Sequence, residues 1–270
     1  MQATPDTGPL YGADRGCGSP ALVFLHYFGG SSAAWSGVVN ELQDHHRCVV
    51  PDLRGFGHSD ALATDACIDD YADDVLDLVR AMGLKRYALI GHSMGGKIAM
   101  AVATREPPGL ISLVLLAPSP PTPEPIEAAQ RAYMLANQRN RAAAEQSAHK
   151  DVARPLPEPL LRQVIEDRFR CSRSAWRWWL SSGSCEDIAA NLGRISIPVH
   201  VMSGQLDASI PTTVVQSEVM DCIPHAILHS IAHCGHLIPL EAPQAVARCI
   251  RLAAPTHDVD AAVNLPPPRH

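Results

Sequence analysis

The pentapeptide Gly91-His92-Ser93-Met94-Gly95, within YALIGHSMGGKIAM (87–100), sets a hydroxyl between two glycines where an apolar run gives way to a helical-period run. A serine hydroxyl is a weak nucleophile until a base removes its proton. The base in turn needs an acid to hold its tautomer and balance its charge. Two downstream segments carry such groups. VHVMSGQLDASIP puts Asp207 just past an apolar run, and SIAHCGHLIPLEAP puts His236 in the loop after the next one. The chain order Ser93, Asp207, His236 is an order in which acyl-transfer triads occur. The candidate roles are Ser93 as nucleophile, Asp207 as orienter and His236 as general base and then acid. A histidine base implies activity that fades on the acid side at roughly pH 6 to 7.

Those three groups can meet only if the elements between them bring three loops to one edge. Apolar runs at 21–26, 47–51, 87–91, 111–117, 198–204 and 226–231 predict strands, most of them continuous enough for a parallel sheet buried on both faces. Helical-period segments lie between them, in SAAWSGVVNELQDHH, DDYADDVLDLVRAMG, SMGGKIAMAVATRE, TTVVQSEVMDC and QAVARCIRLAA. The alternation predicts an α/β fold with a doubly wound, mostly parallel sheet. Ser93 then falls on a sharp strand-to-helix turn. Gly91 and Gly95 leave room there for the neighbouring strand and helix, and the helix aims its free N–H groups at the same spot. A tight turn with an incidental serine is the competing reading of the pentapeptide alone.

The rhythm breaks from Ser119 to about Ser196. That interval opens with the proline-dense PSPPTPEP and continues with IEAAQRAYMLANQRNRAAAEQSAHK, EPLLRQVIEDRFR, SAWRWWLSS and CEDIAANLGR, all read as helices. The expectation is a core of residues 1–118 and 197–254, a helical cap of residues 119–196 inserted in it, and a loose C-terminal tail at 255–270.

Composition limits the partners. The 270 residues are 46% hydrophobic and 19% charged, with a formal net charge of −6 and no long basic run, which excludes a nucleic-acid binder. No stretch approaches the roughly 20 apolar residues that cross a bilayer, and the N-terminus lacks the basic start and apolar core of a signal peptide. A cytoplasmic protein with no membrane partner is expected. The eight cysteines show no CxxC or metal-finger spacing and read as small buried hydrophobes. With no phosphate loop and no paired metal-ligand motif, no cofactor and no metal are expected. Nothing in the sequence specifies an oligomeric state.

The segments LHYFGGSSAAW, DLRGFGHSD, GHSMGG, SGQLD and GHLIPLEAP, spread from about Leu22 to Ala253, resemble the α/β-hydrolase fold superfamily, in particular small bacterial-type serine esterases with a helical cap. The cap position, between the sixth and seventh strands of that family's sheet, fits as well. The resemblance favours His236 over the neighbouring His233, because Gly235-His236 carries the family context. It also implies an oxyanion hole of backbone N–H groups, one from Met94 and one from the loop after His26. That loop usually begins His-Gly. Here it reads His26-Tyr27-Phe28-Gly29-Gly30, so Phe28 is the carried-over second donor, Tyr27 the alternative and His26 a support. Arg54 and the glycines of DLRGFGHSD read as structural, His92 as packing beneath the turn, and Lys97 as facing solvent or a cap residue.

Tyr27, Phe28, Trp176 and Trp179 are the candidate substrate contacts, with simple packing of Trp176, Trp178 and Trp179 as the alternative for the cap tryptophans. The resemblance implies a small-molecule ester of short to medium acyl chain as substrate. Lactone hydrolysis, C–C bond hydrolysis and cofactor-free perhydrolysis use the same three groups, and a hydrolase-like receptor would keep them without turnover.

Overall fold

The computed structural model describes residues 10–60 and 66–256. Seven strands form one sheet: β1 (Gly12–Arg15), β2 (Ala21–Leu25), β3 (Cys48–Pro51), β4 (Tyr87–His92), β5 (Leu110–Leu116), β6 (Val199–Gly204) and β7 (Ile227–Ile231). Their spatial order is β1-β3-β2-β4-β5-β6-β7. Only β1 runs antiparallel, against β3, while every other pairing is parallel. β1 is the strand the hydropathy pattern does not reveal. Its sequence GADR is short, polar and half-buried along its whole length, as an edge strand can be.

The core helices are α1 (Ser36–Leu42), α2 (Ile68–Ala81) and α3 (Met94–Ala103). The insertion between β5 and β6 carries α4 (Ala128–Ala136), α5 (Arg141–Lys150), α6 (Glu158–Arg170) and α7 (Arg173–Ser181). After β6 come α8 (Thr212–Val214), widening into a π-helical turn at Val215–Met220, then α9 (Ile238–Glu241) and α10 (Pro243–Ala253). The segment expected as one helix from residue 32 begins as a 3₁₀ turn at Ser32–Trp35, and CEDIAANLGR forms 3₁₀ turns rather than an α-helix. In the proposed tail, residues 257–270 lie outside the described residues.

Continuous apolar strands hide a strict alternation that the sheet makes visible. Val23, Leu25, Leu89, Leu113 and Leu115 join α2 and α3 on one face, whereas Leu22, Phe24, Ala88, Ile90, Val114 and Leu116 join α1 and α10 on the other. Both faces are dry, so both parities are apolar. In α2 the buried stripe Ile68, Tyr71, Ala72, Val75, Leu78 and Val79 follows the helical period, with Asp69 and Asp70 in its first turn to favour the positive helix end. Asp74 breaks that stripe and is paired with Arg54, which fixes the turn after β3 to α2. The parallel winding leaves the C-terminal ends of β2, β4, β6 and β7 on one edge, and their following loops carry the site.

Candidate active site

Ser93 follows β4 with φ 53° and ψ −116°, a conformation that costs a non-glycine residue of order 1–3 kcal/mol. Four backbone bonds hold it there: its N–H donates to Leu116 O, and its carbonyl accepts from Gly96, Lys97 and Ser119. The glycines are required by close approach. A Cβ on Gly91 would lie 2.7 Å from Gly96 Cα, one on Gly95 would lie 2.6 Å from His26 O, and one on Gly96 would lie 2.7 Å from Pro118 Cβ. The turn therefore packs helix α3 directly onto the ends of β2 and β5. Ser93 lines a cleft of about 550 Å³ roofed by the insertion.

His236 reaches the same cleft from the loop after β7. Its Nδ1–H donates to Asp207 Oδ2 at 2.8 Å, while Asp207 Oδ1 accepts from the backbone N–H of Ser209 and Ile210, each at 2.8 Å. Two backbone donors thus fix the carboxylate independently of the imidazole. The loop itself is pinned by His236 N–H to Asp151 O and by His92 Nε2–H to His236 O. Burial disfavours the imidazolium, but the charge and hydrogen bond of Asp207, helped by Asp151 and Glu124, raise His236 above its ordinary 6.5. That direction favours an acid limb on the alkaline side of the ordinary histidine value. His233 sits exposed on the same loop, at φ 54°, away from Asp207.

The loop after β2 is held from below by His26, whose Nδ1–H donates to Tyr27 O while Nε2 accepts from Leu53 N–H. Among the described residues no acceptor is hydrogen-bonded to the backbone N–H of Phe28, Met94 or Tyr27. Tyr27 stands where the resemblance expects glycine, and Gly30 makes that possible: a Cβ on Gly30 would lie 2.6 Å from the Tyr27 ring. The Phe28 ring meets Trp176 at 4.4 Å and Trp179 at 6.1 Å between centroids, and all three line the cleft together with Tyr27. Trp178 turns instead onto Tyr71, stacked at 4.2 Å.

Lys97 is fully buried rather than solvent-facing. Its ammonium donates to the carbonyls of Thr122 at 3.1 Å and Glu186 at 2.5 Å, one at each end of the insertion. Three cleft residues were invisible to motif reading. Glu124 lines the cleft with its carboxylate accepting from Ser119 Oγ, and burial raises its pKa. Asp151 holds the His236 loop. Arg168 donates to the carbonyls of Asn137, Gln138 and Ala143 and lies 4.7 Å over the Trp176 ring, bracing the roof. Their only sequence signal is a charge within an otherwise ordinary loop or helix.

Among the described residues one set of side chains away from the cleft has metal-ligand types, His200, His229 and Cys249, with ligand atoms within 4.8 Å of one another. The two imidazoles spend their facing nitrogens on each other, His200 Nδ1 to His229 Nε2 at 2.9 Å. A pair that satisfies itself in this way is explained by packing between β6 and β7.

A chain of 99 residues here is 37% identical to the putative carbamate hydrolase RutD of Agrobacterium fabrum, covering 36% of this chain and only 38% of that protein. A longer match, 29% identical over 244 residues, is to the pimeloyl-[acyl-carrier protein] methyl ester esterase of Nitrosomonas europaea, covering 85% of this chain and 94% of that one. The esterase of Exiguobacterium antarcticum superposes with a TM-score of 0.82 at 21% identity, over 89% of this chain and 93% of that structure, a likeness of fold. The family profile described as the alpha/beta hydrolase fold matches residues 20–157, just over half of the chain and the part that holds Ser93 on its strained turn. With that match and a parallel sheet of the same winding, the chain belongs to the alpha/beta hydrolase fold family.

Proposed function

We propose that the protein is a serine hydrolase that cleaves carboxylic esters of small molecules through an acyl-enzyme. Ser93 Oγ attacks the ester carbonyl as His236 Nε2 takes its proton, and Asp207 balances the imidazolium through Nδ1. The N–H groups of Met94 and Phe28 receive the oxyanion. His236 then returns the proton to the departing alkoxide. A water, deprotonated by the same nitrogen, releases the acid and restores Ser93. The observation that carries this reading is that Ser93, at positive φ, and His236, bonded to Asp207, open on one cleft.

Residues 119–196 act as the cap over a core of residues 1–118 and 197–254. The cleft of about 550 Å³ suits a drug-sized substrate, and its aromatic wall of Phe28, Trp176 and Trp179 suits a short to medium acyl chain. No described helix is long and apolar enough to cross a membrane. A panel of p-nitrophenyl esters of rising chain length, run beside lactones and a diketone, tests the assignment. Ester turnover abolished by a serine-directed phosphonate supports it. Fast diketone cleavage with negligible ester turnover transfers the same residues to C–C hydrolysis, and ligand binding without any turnover makes the protein a receptor.

A further inference from the structure

A second cavity, of about 410 Å³, lies on the outer side of the insertion between α4 and α7. Arg139, Arg173 and Arg177 line it together with Leu135, Ala136, Trp176, Gln138 and Ser181. No carboxylate lines it. Among the described residues none of the three guanidinium groups has an ion pair or a side-chain hydrogen bond, although arginines elsewhere in the chain are paired with acids. Arg173 and Arg177 are four residues apart on α7 and so share a face, and Arg139 approaches from the turn after α4.

The charge around this cavity runs against the rest of the molecule. The whole chain has a net charge of −6, yet residues 131–180 hold ten arginines and lysines against five aspartates and glutamates. Three like charges gathered on one cavity repel one another, and an anion between them removes that cost. Guanidinium groups present planar pairs of donors that match the oxygens of a phosphate or carboxylate. The same lining includes Leu135, Ala136 and the Trp176 indole, so an anionic head and an apolar body find contacts in one cavity. We propose that this cavity binds a small organic anion, its phosphate or carboxylate group held by Arg139, Arg173 and Arg177 and its apolar body against Trp176 and Leu135.

Trp176 lines both cavities. It is a lining residue shared by the two, and its Nε1–H donates to Met134 O in the roof. A ligand in the outer cavity therefore touches a wall of the cleft without entering it. The proposal does not depend on the ester-hydrolase reading, because binding is measured apart from turnover.

The experiment is calorimetric titration of the full chain carrying Ser93→Ala, at constant ionic strength, with phenyl phosphate, benzoate and inorganic phosphate as separate probes. The expected result is one site, filled by phenyl phosphate or benzoate more tightly than by inorganic phosphate. Which of the two aromatic anions binds better identifies the head group. Arg173→Gln with Arg177→Gln weakens binding at least about 10-fold, and the lysine versions recover part of it because charge remains without the fork. The phenol control, with no anionic head, does not bind. Equal affinity in the wild-type and double-glutamine proteins overturns the proposal. So does a phenyl phosphate signal that is present in the wild-type protein and vanishes once a phosphonate is attached to its Ser93, which would place the probe in the cleft. Absence of any saturable binding at millimolar probe overturns it as well.

Discussion

His236 and Asp207 are joined by one hydrogen bond of 2.8 Å, and the carboxylate that accepts it is already held by the N–H groups of Ser209 and Ile210. The acid is thus a rigid part of the loop after β6 that fixes one tautomer of the imidazole and leaves Nε2 for chemistry. Rigidity of this kind makes the pair's electrostatics testable.

The base must be neutral to accept the Ser93 proton, and Asp207 raises His236 above 6.5. The acid limb of kcat/KM is therefore expected above pH 6.5. Asp207→Asn should move that limb to lower pH while reducing kcat by about 10⁴-fold through the wrong tautomer. In stability terms, the raised value makes the pair's contribution full below the unfolded pKa, and the contribution fades as pH rises through the folded one. A pH–rate series on both proteins checks the direction. An unmoved limb in Asp207→Asn contradicts the assignment.

Ser93→Ala should keep the fold and lose ester hydrolysis by at least about 10³-fold, with the residue of activity coming from the oxyanion donors. Circular dichroism together with turnover decides it. Near-normal turnover in a folded variant removes Ser93 from the mechanism.

His236→Ala should be as damaging as Ser93→Ala, while His233→Ala should change kcat/KM by less than about 3-fold, because His233 lies exposed on the turn. Reversed outcomes would mean that the loop presents the other imidazole to the serine.

Two glycines separate steric demand from backbone strain. A Cβ on Gly95 strikes the carbonyls that end β2, so Gly95→Ala should cost about 3 kcal/mol or more and abolish activity. Gly83, at φ +62° after α2, has nothing within 4 Å of the added carbon, so Gly83→Ala should cost only about 1–2 kcal/mol. Chemical denaturation of both variants gives the comparison, and equal costs would contradict the geometry.

Trp179 and Phe28 line the cleft, and the proposed reaction puts the acyl chain against them. Each methylene that fits adds about 0.8 kcal/mol, so kcat/KM should rise with chain length and then fall once the wall is met. Trp179→Ala should shift the optimum to longer chains. A rate that climbs steadily to long-chain esters in the intact protein would indicate an open cleft instead.

The residues that chemistry demands could be read early because they are local. The Ser93 turn needs glycines at fixed offsets, and Asp207 and His236 each follow an apolar run. The six parallel strands were legible through the same runs, since a sheet buried on both faces leaves few polar interruptions, whereas their spatial order carries no local signal. β1 escaped because an edge strand needs no apolar face. Glu124 escaped because it sits in a proline-rich segment that reads as a connector. Lys97 could be read only as facing solvent or a cap residue; the second holds, but sequence pattern carries no sign of which two carbonyls, 25 and 89 positions away, satisfy its charge. Long-range partners of this type become visible only when the chain is folded.

Lys97 fastens the insertion by its backbone, accepting whatever side chains stand at 122 and 186. An ammonium that reads only carbonyls places no demand on sequence at either end. The segment between those two points is tied to the catalytic side once more, because the Asp151 carbonyl accepts from the N–H groups of His236 and Leu237. The insertion is therefore clamped at three backbone points, and side-chain variation is tolerated best where it leaves those carbonyls in place.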